Sequence, residues 1–216
     1  WKYPIKEPAM ETVDLKQFDK TLYTASATSV QCIDVPPRPY LMVDGGGDPN
    51  TSVAYKERVA ALFTLAYGLR AAIKSAASTA YTVMPLEGLW WVRAGESFSY
   101  ADKSNWEWTL LIRQPDAVND ALLSEVKSAA LRKKGLPALH DVRLEIFREG
   151  LALQILHIGP FSTEPATVAL LDAYGSEHGY AMSGKHHEIY LNDFQRVAPE
   201  KLRTIIRHPV RLAKLG

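Results

Sequence analysis

One order of elements is written twice along this chain: a strand, a glycine-containing loop, a helix and two further strands. The first copy predicts a strand over Tyr40–Asp44, a turn run Gly45-Gly46-Gly47-Asp48-Pro49-Asn50, a helix from Val53 to about Ala77, and strands over Tyr81–Met84 and Leu89–Val92. The second predicts a strand over Leu151–His157, a loop opening at Gly159-Pro160, a helix over Thr163–His178, and strands over Tyr180–Ser183 and His187–Leu191. Each unit covers one face of its strands with one helix. Two copies are therefore expected to pack about a pseudo-twofold axis with a ligand-sized cleft between them. The fold class that follows is α+β: a duplicated strand-helix-strand-strand motif in two pseudo-symmetric lobes, with antiparallel sheets and a central inter-lobe cleft.

Local periodicity fills in the rest. Val59, Leu62, Phe63, Ala66 and Leu69 recur at helical spacing, and Thr51 or Ser52 is placed to cap that helix. Trp106, Trp108, Leu110 and Ile112 share one face of a strand, with Glu107, Thr109, Leu111 and Arg113 on the other. A second amphipathic helix spans Ala117–Lys134 and is closed by Gly135. Val142–Phe147 and Leu151–His157 read as a hairpin through Arg148-Glu149-Gly150, and Pro199–Val210 as a basic helical turn begun by proline. Residues 1–38, with Pro4, Pro8, Pro36 and Pro37, read as an irregular extension holding a short helix around 14–20. One domain over 39–216 is expected, with lobe one at about 39–105 and lobe two at about 106–216.

Bulk properties exclude several function classes. A net charge of +1 provides no field that would favour nucleic acid or an anionic membrane, and the basic tail Arg203, Arg207, Arg211, Lys214 is too sparse to supply one. Cys32 is the single cysteine, so no internal disulfide forms and a reducing compartment fits. The absence of an 18-residue apolar stretch and of a basic-then-apolar opening leads us to expect a soluble, cytoplasmic protein.

The candidate chemistry centres on Lys185–Asp193, where Glu188 and Tyr190 fall on one strand face. An acid beside a phenol is an unusual thing to turn toward an interior. Aligning Tyr81 over Tyr180 sets Leu89 over Glu188, Trp90 over Ile189 and Trp91 over Tyr190. That register favours Trp91 over Trp90 as a wall of the cleft. Trp106 and Trp108 are expected to be both in it or both out, and Tyr55 and Tyr67 on the first long helix are further candidates. Four of the five Trp crowd between 90 and 108, as in sites that receive flat organic ligands. No metal site is expected: His186 and His187 point to opposite faces, and His157 and His178 form no ligand pair with them. Gly45-Gly46-Gly47-Asp48 lacks the Lys-Ser/Thr of a phosphate loop, no Ser-His-Asp set occurs, and no cofactor is implied.

Five ordered segments carry a resemblance to a known family. Tyr81 with Pro85-Leu86-Glu87-Gly88-Leu89-Trp90-Trp91 comes first, followed by Trp106-Glu107-Trp108-Thr109 with Gln114-Pro115-Asp116. Then come Gln154-Ile155-Leu156-His157-Ile158-Gly159-Pro160, His187-Glu188-Ile189-Tyr190-Leu191, and Pro199-Glu200-Lys201-Leu202-Arg203-Thr204-Ile205-Ile206-Arg207. Together, from about residue 20 onward, they resemble the GyrI-like small-molecule-binding domain family, most nearly its stand-alone members without a DNA-binding domain. The resemblance implies an aromatic-lined pocket with a key glutamate, matched here by Glu188. It also implies lipophilic, flat, often cationic aromatic ligands, taken up for multidrug-type sequestration or sensing, with no direct nucleic-acid or membrane partner. Some stand-alone members hydrolyse the cyclopropane of DNA-alkylating natural products, a detoxifying reaction that would use Glu188 with a tyrosine such as Tyr190 or Tyr67. A third reading, a protein–protein regulator, follows from the gyrase inhibitor for which the family is named.

Overall fold

In the computed structural model, which describes residues 11–77, 79–93, 96 and 99–213, the twice-written order becomes one curled antiparallel sheet, a half-barrel with its long helices on one face. Pro4, Pro8 and Lys214 lie outside the described residues. The strands are β1 (Glu11–Val13), β2 (Gln31–Val35), β3 (Arg38–Gly46), β4 (Thr79–Tyr81), β5 (Glu87–Val92), β6 (Trp106–Arg113), β7 (Arg143–Phe147), β8 (Gly150–Ile158), β9 (Tyr180–Met182), β10 (His186–Tyr190) and β11 (Arg203–Leu212). The helices are α1 (Leu15–Phe18), α2 (Lys20–Tyr23), α3 (Val53–Ala77), α4 (Asp120–Lys134) and α5 (Glu164–Glu177). The main sheet runs β2-β8-β11-β10-β5-β6-β3-β7, with β9 on the end of β11 and a separate parallel pair β1–β4.

The midpoint of that order, between β5 and β10, is the pseudo-twofold axis. Stepping outward from it matches β6 with β11, β3 with β8, and β7 with β2. Each copy has exchanged its leading strand with the other: β2 pairs with β8 and β7 pairs with β3. The hairpin expected between Val142–Phe147 and Leu151–His157 is therefore not formed. Gly150, at φ 76°, turns the chain away instead, and β8 satisfies both of its edges against β2 and β11. β6, assigned by its position in sequence to the second lobe, lies between β5 and β3.

Helix boundaries follow their caps. The Ser52 hydroxyl accepts from the Tyr55 N–H at 3.1 Å, Asn119 caps α4 through the Leu122 N–H at 2.9 Å, and Gly135 closes α4 at φ 60°. By length and composition α3 is apolar enough to cross a membrane, but Leu62, Leu65, Ala66 and Leu69 are wholly buried in the core with Leu41, Val43, Leu110 and Ile112. The C-terminal helix expected over Pro199–Val210 is instead a single 3-10 turn, Pro199–Lys201, followed by β11. Thr204, Ile205 and Ile206 are β-branched and buried on both faces of the sheet, so apolar residues follow one another without the alternation that marks a half-exposed strand.

The N-terminal residues are more than an irregular extension, because they cover the face of the sheet opposite α3 and α5. Asp19, between α1 and α2, is pinned by Arg38 at 2.9 Å and by Arg113. Beneath them lies a buried ionic network at the centre of the sheet. His187 donates from Nδ1 to Glu149 at 3.0 Å and from Nε2 to Glu87 at 3.0 Å, and the Tyr23 hydroxyl donates to Glu87 at 2.9 Å. Arg207 donates to Glu149 at 3.3 Å, to Gln154 at 3.0 Å and to the Leu22 carbonyl at 2.6 Å. Two cations and two carboxyls thus close on one another with little left to water. Burial alone would lower the His187 imidazolium, but the Glu149 carboxylate, with Glu87 behind it, outweighs burial and lifts it to about 9.

The sign of the pH dependence follows. His187 gains its proton's worth of stability below its unfolded value of about 6.5 and loses it as pH rises through about 9. Glu149 is held low despite its burial by His187 and Arg207, so its contribution is lost as pH falls through that depressed value. Thermal unfolding is expected to show a Tm that falls between about pH 6.5 and 9, a slope that His187→Gln flattens. Glu149→Gln, which removes the carboxylate shared by two buried cations, is expected to cost about 3–5 kcal/mol in urea unfolding.

Candidate functional site

Antiparallel register decides which side chains meet. Glu188 lies opposite Gly88, Ile189 opposite Glu87, and His186 opposite Trp90. Trp90 in turn lies opposite Trp108. Cross-strand partners share a face, so Glu188, Tyr190, Trp90, Trp106 and Trp108 all lie on the helix-covered side. Trp91 and Leu89 lie on the other. The alignment that set Leu89 over Glu188 is one residue out of phase, and in a strand one residue exchanges the two faces. Trp91 is placed in a groove on the far face, where the Lys185 ammonium stands 3.2 Å from its ring centroid.

On the helical side, between the N-termini of α3 and α5, the two copies enclose a cavity of about 120 Å³. Tyr55, Trp90, Trp106 and Tyr100 make one wall. Trp90 stacks on Tyr55 at 6.2 Å and meets Trp106 edge-on at 5.5 Å, and Tyr100 meets Trp106 at 6.0 Å. Tyr190, Phe161 and Phe194 make the other, with centroids 5.7 to 6.1 Å apart. Gly88 is required here: a Cβ on it would sit 2.8 Å from Trp90 Nε1, so only glycine lets the indole lie down across the strand. Trp108 shares the face but is wholly buried behind Tyr55, its Nε1 donating to the Gly47 carbonyl at 3.2 Å. Tyr67 is 59% exposed on the outer side of α3 and does not reach the cavity.

Between the walls stand two carboxyls. Glu188 accepts from the Tyr190 hydroxyl at 2.8 Å and faces His186 Nε2 at 3.0 Å. Burial, and then the Glu188 charge, pushes the Tyr190 phenol well above its ordinary value, so it stays a donor. The second carboxyl is Glu164, the first residue of α5 and 2% exposed, which sequence reasoning missed. An acid ahead of proline at a helix start reads as an ordinary first-turn charge, and nothing local marks it as buried. Its Oε1 has no hydrogen-bond partner among the described residues, and neither has Trp90 Nε1. Burial, and then the neighbouring Glu188, pushes Glu164 up to about 10 and leaves it a neutral acid beside an acceptor.

Atoms of Glu164, His186 and Glu188 converge within 4.8 Å, a separation that suits an ion. His186 Nε2 and both Glu188 oxygens are already taken up by hydrogen bonds to one another and to Tyr190, so the cluster reads as a proton-sharing set. A polar, neutral-acid site walled by rings can hold a flat ring, bind positive charge and move protons.

Two measurements check this geometry. Trp90→Ala is expected to weaken a flat aromatic dye at least tenfold, about 1.4 kcal/mol, in a fluorescence titration, whereas Trp91→Ala leaves affinity within about twofold. Because folded Glu164 keeps a proton that the unfolded chain releases above about 4.5, its stability contribution falls as pH rises toward 10. Glu164→Gln is therefore expected to raise Tm at pH 8 relative to wild type.

The family model for the GyrI-like small molecule binding domain matches residues 28–211. The fold is shared with a crystal structure of an uncharacterized conserved protein from Listeria innocua at 36% identity and a TM-score of 0.86, covering 92% of this chain and 100% of that one. A hydrolase from Listeria innocua matches at 34% identity and a TM-score of 0.84, covering 93% of this chain and 100% of that one. The EcmrR C-terminal domain, at 9% identity and a TM-score of 0.52 over 86% of this chain and 98% of that one, shares the fold alone. No curated protein matches the chain significantly. Nearly the whole described chain falls within one family, and the protein belongs to the GyrI-like small-molecule-binding domain family.

Proposed function

We propose that this protein admits a flat, lipophilic aromatic compound ring-first into the cavity and hydrolyses it, opening a cyclopropane conjugated to a carbonyl. The observation that carries this reading is the pair Glu164 and Glu188: one neutral acid and one hydrogen-bond acceptor inside one aromatic cavity. A neutral acid held beside a hydrogen-bond acceptor is the arrangement acid–base chemistry needs. The 34% identical hydrolase, matched over its full length, supports it. A free volume of about 120 Å³ suits a single ring, since an engineered apolar cavity of about 150 Å³ takes up benzene. The remainder of a larger ligand would lie over Asn50, Pro49 and Lys103 at the rim.

The step balances within the site. Glu188 takes a proton from water, the water oxygen bonds to the terminal cyclopropane carbon, and the strained C–C bond breaks. Its electron pair moves into the conjugated ring, and the carbonyl oxygen takes the Glu164 proton. Both groups are restored when Glu188 gives up its new proton and Glu164 takes one up, either directly from Glu188 or by exchange with solvent. Tyr190, its hydrogen committed to Glu188, orients that carboxylate and does not polarise the carbonyl. A second reading, sequestration of a cationic aromatic without turnover, draws on the unpartnered Glu164 Oε1, which a cation would satisfy.

Incubation with a cyclopropyl-dienone alkylator is expected to yield a product heavier by one water in mass spectrometry. Glu188→Gln and Glu164→Gln should each lower kcat by about 10²–10⁴, with Glu164→Gln also removing the alkaline fall in rate near pH 10. Stoichiometric depletion of the compound without product would leave sequestration in its place.

A further inference from the structure

Glu188 is one end of a row of polar side chains that leads away from the cavity mouth. Glu188 Oε1 is 3.0 Å from His186 Nε2 and His186 Nδ1 is 2.8 Å from His208 Nε2, both hydrogen bonds, while His208 Nδ1, which has no hydrogen-bond partner among the described residues, stands 3.5 Å from Asp172 Oδ1. The inner three are buried, whereas the Asp172 side chain on α5 is 55% exposed. Where the row ends, a second cavity of about 200 Å³ is lined by Asp172, His208, Tyr180 and Leu153, none of which lines the aromatic cavity.

The surroundings make two adjacent imidazoles costly. Leu153, Ile155, Leu171, Ile206 and Val210 form the apolar cluster on this side, and further apolar side chains would fill the same space without burying polar atoms. Imidazole is also the side chain that accepts a proton at one ring nitrogen while releasing one from the other. We infer that His186 and His208 form a proton conduit linking the Glu188 carboxylate to solvent at Asp172, open while a ligand fills the aromatic mouth. The inference rests on the reading of Glu188 as proton acceptor.

Each transfer is accounted for. Protonated Glu188 gives its hydrogen to His186 Nε2, the His186 Nδ1 hydrogen passes to His208 Nε2, and the His208 Nδ1 hydrogen passes to Asp172 once the carboxylate or a water in the second cavity closes the 3.5 Å gap. One O–H bond breaks at Glu188 and one forms at Asp172. Both rings are left with hydrogen on Nε2, which is the arrangement an inward transfer requires. Uptake and release therefore reset one another. Among the described residues, the charged and titratable groups facing His208 include His186 on β10, Asp172 on α5 and Tyr180 on β9, with Glu149 acting through the sheet; those facing His186 include Glu188, Glu164 and His208. Burial lowers His208 below the ordinary histidine value in spite of Asp172, which keeps the ring neutral and able to relay.

The test is solvent exchange of the His186 ring N–H, measured by NMR on protein labelled with ¹⁵N-histidine, with and without ethidium as the probe. The expected result is exchange that persists when the dye is bound and slows at least tenfold in His208→Gln. Asp172→Asn, a surface change that leaves the core intact, should slow it severalfold and serves if His208→Gln does not fold. With His208→Ala, added imidazole should enter the 200 Å³ cavity and restore exchange, which a merely structural role would not allow. Exchange that stops on dye binding, or that is indifferent to both substitutions, would overturn the conduit. Turnover of the cyclopropyl-dienone is scored separately: its absence removes the hydrolase reading and leaves the exchange result standing on its own.

Discussion

The pairing of β5 with β10 holds the rest in place. Among the described residues it is the strand pair through which the two copies meet at their shared axis in the main sheet, and both strands are largely buried. The register that sets Glu188 opposite Gly88 puts a carboxylate against the one residue small enough to let Trp90 fold over it. The same register sends His187 through to the far side, where Glu149 and Glu87 receive it. A slip of one residue would turn His187 into the aromatic cavity and Glu188 toward Arg207.

The two faces of that strand pair solve opposite electrostatic problems. Below the sheet, charges are matched and hydrogen-bonded, giving rigidity and anchoring residues 15–24 through Leu22 and Tyr23. Above it, two carboxyls lie together with Lys103 only at the rim, and the imbalance is met by retaining a proton on Glu164. Sites of this kind are held against their own repulsion by the surrounding fold, which is how stability is exchanged for reactivity. The matched network directly beneath supplies the stiffness.

Much of this was legible in the sequence, and the misses share a cause. The duplicated order, α3, the length of β6, Gly135 as a terminator, and the joint facing of Glu188 with Tyr190 all follow from periodicity and caps. The sequence register points to Trp91 rather than Trp90 because an alignment resting on few positions carries no information about a one-residue shift. β11 reads as a helical turn in sequence because a strand buried on both faces shows no alternation. Glu164, Phe161 and Phe194 stayed hidden because they reach the cavity from a helix start and from loops. Residues there are placed by tertiary packing, and their spacing in sequence says nothing of it.

The exchange of β2 and β7 between the halves has a consequence for what this protein could be reduced to. Neither copy holds a finished sheet, since the outermost hydrogen-bond ladder of each is written in the other half of the chain. A single copy expressed alone would present an open edge along β3 or β8, and it could close that edge only by trading leading strands with a second molecule of itself. The symmetric dimer so formed would carry two glutamates or none at its axis. The asymmetry of one acid facing one glycine therefore requires both copies in one polypeptide, joined through α4, where each is free to differ from the other.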